Sequence, residues 1–137
     1  MNKSNNNQGF TLIEVIVVIV LVGLVVAYVA PQMLGRADDA KRKAAELHIQ
    51  KVSNAIEVFK FEVGRYPNTL DDLIRKPDQA PGWQGPYIQQ QKQLLDPWKR
   101  QLGYRQPGEH KRFDLFSLGA DGQPEGTGDA ADITNWD

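Results

Sequence analysis

Two groups of residues in this chain have the types and spacing to do chemistry. The first lies in the stretch SLGADGQPEGTGDAADITNWD, Ser117 to Asp137, which places Asp121, Asp129 and Asp132 in one glycine-rich segment with Glu125 between them. Carboxylates crowded in a small loop repel one another unless a cation sits among them. Calcium suits such a loop because it takes about six to eight oxygen ligands in a flexible shell, mixing carboxylates with backbone carbonyls. The spacing does not match an EF-hand, which needs a regular acidic run ending in Glu, and the same composition also describes a solvated acidic tail. The second group is Glu14, the one ionisable residue in the apolar run from Phe10 to Ala30. An isolated carboxylate in hydrocarbon is costly and usually has a partner. Glu14 therefore either sits at headgroup level near the helix end or pairs with a cation.

Catalysis finds no comparable starting point. His48 and His110 stand in separate segments, each with charged neighbours, and no Ser or Thr lies in a nucleophile-elbow context. There is no phosphate-binding glycine loop, histidine metal pair or cofactor motif, so the chain reads as non-enzymatic. Cysteine is absent, which removes disulfides, thiolate metal sites and a cysteine nucleophile; an exported domain this small would need another staple. Lysine plus arginine (16) nearly balance aspartate plus glutamate (17), so no basic field argues for nucleic acid.

The elements that must position these groups follow from the pattern. The apolar run is about 20 residues long, enough to cross a bilayer as a helix. A secretory signal would be cut after its apolar core, whereas here the small residue, Gly9, stands before it. A cut after Gly9 removes the polar leader MNKSNNNQG, keeps the helix and makes Phe10 a new N-terminus just over one helical turn from Glu14. A helix apolar around its whole circumference must be buried in lipid or in a bundle of identical helices. Pro31 is expected to bend the helix, not to end it. Beyond it, Ala45, Ile49, Val52, Ile56, Phe59 and Val63 alternate at spacings of four and three, one face of an amphipathic helix. The polar face carries Arg36, Asp38, Asp39, Lys41, Arg42, Lys43, Glu46, Lys51, Glu57 and Lys60, with Asp39 and Lys43 at a helpful i,i+4 spacing. It reads as a solvated face or as a source of salt bridges between subunits. Gly64 supplies the cap, giving one helix from Leu12 to Val63.

A short helix is expected over Leu70 to Arg75, with Thr69 and Asp72 at capping-box spacing. The loop Lys76 to Pro86 has Trp83 as its anchor, and Tyr87 and Ile88 re-enter the core. Leu94 to Trp98 forms a turn that lays Trp98 against a hairpin of Gln101–Arg105 and Phe113–Leu118, joined across Pro107, Gly108 and Glu109. Ser117 to Asp137 holds too many glycines for helix or strand. With perhaps a third of its 137 residues in the stem, the chain has room for one small domain.

The run G-F-T-L-I-E-V before an apolar segment resembles the class III signal of the type IV pilin superfamily. Together with GRYP, LLDPWKRQLGY and the ending SLGADG…ADI…NWD, it is similar over essentially the whole chain to the major pseudopilins of type II secretion. The resemblance implies an α+β, type IV pilin-like fold: a long N-terminal helix, membrane-spanning in its first half, packed on a small antiparallel sheet with a calcium-binding C-terminal loop. It implies a leader at 1–9, a transmembrane and filament-core helix at 10–30 and a periplasmic domain at 31–137. Prepilin peptidase would cut between Gly9 and Phe10, Phe10 would be N-methylated, and Glu14 would pair with the Phe10 amine of a neighbouring subunit. Calcium would take side-chain oxygens of Asp121 and Asp132 and carbonyls of Leu118 and Gln123. Some members carry adjacent aspartates where this chain has Ala131-Asp132, so Asp129 stands in for the missing carboxylate; the family often has two glycines where this chain reads Glu125-Gly126.

The partners implied are further copies in a helical filament, minor pseudopilins, an inner-membrane assembly platform, the peptidase and an outer-membrane secretin, with no nucleic acid. The place implied is the bacterial inner membrane, single-pass, with the C-terminal domain in the periplasm. A type IV pilus pilin is the alternative, although many close a C-terminal loop with a disulfide this chain cannot form. A tip pseudopilin typically lacks the glutamate and is larger. A monomeric, membrane-anchored calcium-dependent binding module would not need Gly9 or Glu14.

Overall fold

The computed structural model describes residues 9–137, except for the side chains of residues 31–36 and 129; the leader at 1–8 lies outside the described residues. The chain divides into two compact units, one ending at Ala37 and one from Asp38 onward. The first helix, α1, runs Leu12–Val63. It starts where Thr11 caps it: the Thr11 carbonyl accepts the Glu14 and Val15 N–H groups at 3.1 and 3.2 Å, and its Oγ1 accepts the Glu14 N–H at 3.3 Å. The helix continues past Pro31, in keeping with the expectation that this proline does not end it.

In the second unit the alternating stripe does what its spacing demands. Ala45, Ile49, Val52, Ile56 and Phe59 are buried and form one core with Leu70, Leu73, Ile88, Leu94, Leu102, Phe113, Leu115 and Ile133. Val63 and Trp98 pack partly buried against it. Gly64 ends α1 in left-handed backbone, φ 86°, its N–H bonded to the Lys60 carbonyl at 3.0 Å. On the wet face, Lys43 bonds Glu46 at 3.0 Å instead of the expected Asp39. Both groups are exposed, so the pair is worth a few tenths of a kcal/mol. Arg42 is also corrected: it is half-buried, because position 42 is the next step upstream of Ala45 on the core-facing stripe.

The sheet is β1 (Gly103–Arg105), β2 (Asp114–Ser117) and β3 (Ile133–Thr134), in the order β1-β2-β3. Both pairings are antiparallel, Tyr104 opposite Leu115 and Ser117 opposite Ile133. The expected hairpin is β1-β2. The strand β3 corrects the reading of the tail as strandless. Two residues are too few for an alternation signal, and the strand is held by Asn135, which bonds Leu115 and Phe113. Its N–H donates to the Leu115 carbonyl at 3.0 Å, its Oδ1 accepts the Leu115 N–H at 2.9 Å, and its Nδ2 donates to the Phe113 carbonyl at 3.2 Å.

The helix expected over Leu70 to Arg75 is a single 3-10 turn, Leu70–Leu73. A second turn, Gln91–Leu94, lacked an apolar period in the sequence and is held by Gln93, whose Oε1 accepts the Gln89 and Gln90 N–H groups at 3.1 and 3.2 Å. Asp72 accepts the Asn68 N–H at 2.8 Å, so the acid at the end of the expected box reaches one residue further back than a capping box would. Trp83 anchors its loop as expected: its indole N–H donates to the Asp72 carbonyl at 3.0 Å and its ring meets Tyr87 edge-on at 5.7 Å.

The turn between β1 and β2 is organised by Asp114, which is 1 % exposed. Its carboxylate accepts the N–H groups of Glu109, His110 and Lys111 at 2.8, 3.2 and 3.2 Å, and the His110 Nδ1 lies 3.1 Å away. Burial pushes the carboxyl pKa up, but the His110 ring and these backbone donors outweigh it and hold the group at about 2, below its ordinary 3.8. A depressed carboxylate contributes stability that is complete above the unfolded pKa and is lost as pH falls through the folded one. The contribution should be about 2 kcal/mol above pH ~4 and should fade towards pH ~2. Denaturant unfolding of the wild type and of Asp114→Asn between these limits checks this: the gap between them should narrow as pH falls.

After β2 the chain turns through left-handed backbone at Gly119, Gly122, Glu125 and Gly128, with Glu125 at φ 63°. Glu125 thus adopts a conformation that glycine would reach without strain. Glu125→Gly should raise stability by up to about 1 kcal/mol, since relief of the strain exceeds the added freedom of the unfolded chain. A shift of the denaturation midpoint to higher denaturant checks it.

Candidate functional site

Gly9 and Phe10 precede α1, outside any regular element, and both are exposed. A Cβ built on Gly9 meets nothing within 4 Å, and its φ lies outside the left-handed region. Nothing in the described fold needs a glycine here, so a requirement for one would come from whatever protein reads this bond. Glu14 makes no hydrogen bond or ion pair through its carboxylate among the described residues, while its backbone N–H is taken by Thr11. A groove lined by Phe10, Glu14, Val15, Val18 and Ile19 places that carboxylate beside apolar surface. Thr11 was missed in the sequence reading, although T-x-x-E ahead of an apolar run is a capping-box pattern. Only half the box is closed, which leaves the Glu14 carboxylate free for another donor.

The C-terminal loop is built from both ends. At its entry, the Ser117 hydroxyl donates to Asp96 at 2.7 Å, and the two residues are 1 % and 5 % exposed. Asp96 also accepts the N–H groups of Trp98 and Arg100, both at 2.9 Å, and its Oδ2 lies 3.8 Å from the Arg100 Nε. The Arg100 guanidinium bonds the Gly119 carbonyl and lies against Gly122, where a Cβ would come within 2.4 Å of it. Asp96 and Arg100 are therefore what the DPWKR run contributes to the loop, beyond the turn expected of it. At the exit, the Arg42 Nη1 donates to the carbonyls of Ala131 at 3.0 Å and Gly128 at 3.4 Å.

Within the loop the expected ligands fall into two places. Asp121 is exposed and accepts the Gln123 N–H at 3.0 Å, so these two residues share a turn. Leu118 and Asp132 line a cleft of about 310 Å³ with Glu125, Arg105, His110 and Trp136. The Leu118 carbonyl accepts the Gly122 N–H at 3.1 Å, and Asp132 Oδ2 accepts the Glu125 N–H at 3.2 Å. The other oxygen of Asp132, Oδ1, is shielded from solvent and receives no donor among the described residues. The side chain of Asp129 lies outside the described residues. Among the described residues no three acidic or imidazole side chains gather as a metal-holding group. A cation in this cleft would be held by the Asp132 carboxylate supplemented by carbonyls, with Asp121 on the neighbouring turn. The orphaned buried Oδ1 and the all-oxygen donor set fit calcium.

His110 stacks on Trp136 at 4.2 Å with rings 2° from parallel and supports Asp114; His48 is half-buried on α1 with its Nε2 unpartnered.

Comparison with known proteins matches this architecture. The sequence model of the family described as type II secretion system (T2SS), protein G, matches residues 32–136, and that of the prokaryotic N-terminal methylation motif matches residues 4–30. The type II secretion system core protein G of Xanthomonas campestris pv. campestris is 43% identical over 125 residues, 91% of this chain and 87% of the relative. Its counterpart in Pseudomonas aeruginosa is 40% identical over 142 residues, 98% of this chain and 99% of the relative. The crystal structure of the major pseudopilin from the type 2 secretion system of enterohaemorrhagic Escherichia coli superposes with a TM-score of 0.61 at 31% identity, covering 75% of this chain and 88% of that one. The pilin-like fold, the methylation motif and this agreement in sequence along nearly the full length place the chain in the type II secretion system core protein G family, the major pseudopilins, which are structural and not enzymatic proteins.

Proposed function

We propose that the chain is held in the inner membrane by Leu12–Ala30, is cut between Gly9 and Phe10, is methylated on Phe10, and polymerises with copies of itself into a periplasmic filament that promotes export of folded proteins. The observation that carries this is the helix itself. Leu12–Ala30 has a mean hydropathy of 3.1 and none of that window is buried within the chain, so its cover must be lipid or identical helices. Cleavage creates a free amine at Phe10, and Glu14 of the adjacent subunit is the unpaired carboxylate able to accept it. The pair gives the polymer a register that apolar packing alone does not. The peptidase, the minor pseudopilins, the inner-membrane platform and the outer-membrane secretin are the partners this route requires, and a separate cytoplasmic ATPase would supply the energy.

A second surface supports polymerisation. Leu47, Val58 and Phe61 are 58, 46 and 89% exposed. Leu47 and Val58 are roughly three turns apart and Phe61 follows within one, which puts the three on one side of α1, opposite the buried stripe. Phe61→Asp should abolish filament formation in cells, seen by electron microscopy and shearing assays, while leaving the unfolding temperature of the purified full chain in detergent within about 2 °C of wild type. Filaments of normal length and number from this variant would remove Phe61 from the assembly surface.

The C-terminal loop is the proposed calcium site, held by Asp132, Asp121, Asp129 and the carbonyls of Leu118 and Gln123. Bound there, calcium would supply the positive charge that lets the acidic side chains sit together, and a ligand held only by the folded state adds stability by mass action. Thermal unfolding of the detergent-solubilised full chain in calcium and in chelator tests this. A chelator-sensitive midpoint is expected in the wild type, with Asp132→Ala losing most of the calcium response and Asp121→Ala part of it. Unchanged calcium binding in both variants would end the assignment.

A further inference from the structure

The amphipathic stripe of α1 continues one step beyond its last apolar residue and finds an arginine there. Ala45, Ile49, Val52, Ile56 and Phe59 are buried, and Arg42, three residues before Ala45, is half-buried on the same side. A guanidinium on a core-facing position is costly unless its donors are used. Arg42 uses one on the chain's own C-terminal loop, its Nη1 donating to the carbonyls of Ala131 and Gly128 at 3.0 and 3.4 Å. The segment between Gly119 and this pair carries Asp121 and Glu125, Asp132 directly follows Ala131, and Gly119 is itself held by Arg100.

We propose that Arg42 is the positioning residue of the C-terminal loop: a fixed organic cation that closes the loop's exit and sets the backbone of Asp132, whose Oδ1 is buried without a donor among the described residues. Arg100 does the same at the entry, where it is tied to the buried Asp96. The inference deepens the calcium reading and, for its metal-affinity part, rests on it. The loop has little apolar content of its own, so without the clamp the metal alone would have to order it. With the clamp in place that ordering is already made, and apparent affinity rises with the fraction of loops in the competent state. A bare positive charge near the site would instead weaken calcium binding by repulsion. The two effects of Arg42 therefore predict opposite outcomes on removal. The clamp outweighs the charge because the guanidinium spans two carbonyls of the loop backbone.

The test uses the full chain in detergent, wild type, Arg42→Gln and Arg42→Lys, followed by amide hydrogen exchange in chelator and by titration with calcium chloride alone. In chelator, Arg42→Gln should speed exchange of the Glu125, Ala130 and Ala131 amides by about tenfold or more while the β1-β2 ladder keeps its protection. Arg42→Lys should recover part of the lost protection, and it carries the test if Arg42→Gln fails to fold. Calcium should re-protect the loop of Arg42→Gln with an apparent dissociation constant weakened about tenfold. Unchanged loop exchange in Arg42→Gln would overturn the proposal, as would tighter calcium binding by that variant, which would mean that Arg42 acts only as a repelling charge. If Arg42→Gln loosens the loop but calcium protects neither chain, the clamp stands and the calcium reading falls.

Discussion

A helix apolar on every side cannot remain in water, and among the described residues nothing buries Leu12–Ala30. That surface calls for cover from lipid or from other helices, whereas the apolar side chains of the C-terminal unit find theirs in its own core. The same condition gives meaning to Glu14. In an otherwise apolar segment a single carboxylate is the one group able to distinguish one axial position from another, and it has no partner among the described residues.

The C-terminal unit solves a different problem. It has no disulfide and a small core, so a large share of its order comes from a few buried polar groups that each organise a turn. Asp114 gathers the backbone donors of the β1-β2 connection, Asp96 gathers those of the turn before β1 and also holds Ser117, and Asn135 ties β3 to β2. Each satisfies several donors with one side chain, which is how loop-rich backbone avoids the cost of buried unpaired groups. The sheet is consequently short, and the loops around it are fixed by charge and hydrogen bonding more than by apolar area.

The C-terminal loop sits where these devices meet. Arg100 reaches it from the Asp96 turn and Arg42 from α1, so the acidic segment is framed by two guanidinium groups donating to carbonyls. Carbonyl oxygens are also what a hard cation seeks. The protein fixes part of the loop with its own cations, while the Asp132 Oδ1 receives no donor among the described residues.

Much of this was legible from the residues. The period of α1's buried face, its end at Gly64, the β1-β2 hairpin and the anchoring role of Trp83 follow from local spacing, turn chemistry and a single large aromatic, all of which act over a few residues. The apolar run was likewise visible, because its length and composition need no tertiary information from this chain. The tertiary structure alone decided the rest. Strand β3 is two residues long and exists because Asn135 reaches β2, a contact across about 20 residues of sequence. The half-buried place of Arg42 depends on carbonyls 86 and 89 residues away, and the roles of Asp96 and Arg100 depend on Ser117 and Gly119 lying beside them. Contacts of that range leave no periodicity in the chain; they arise only when separate segments are brought together.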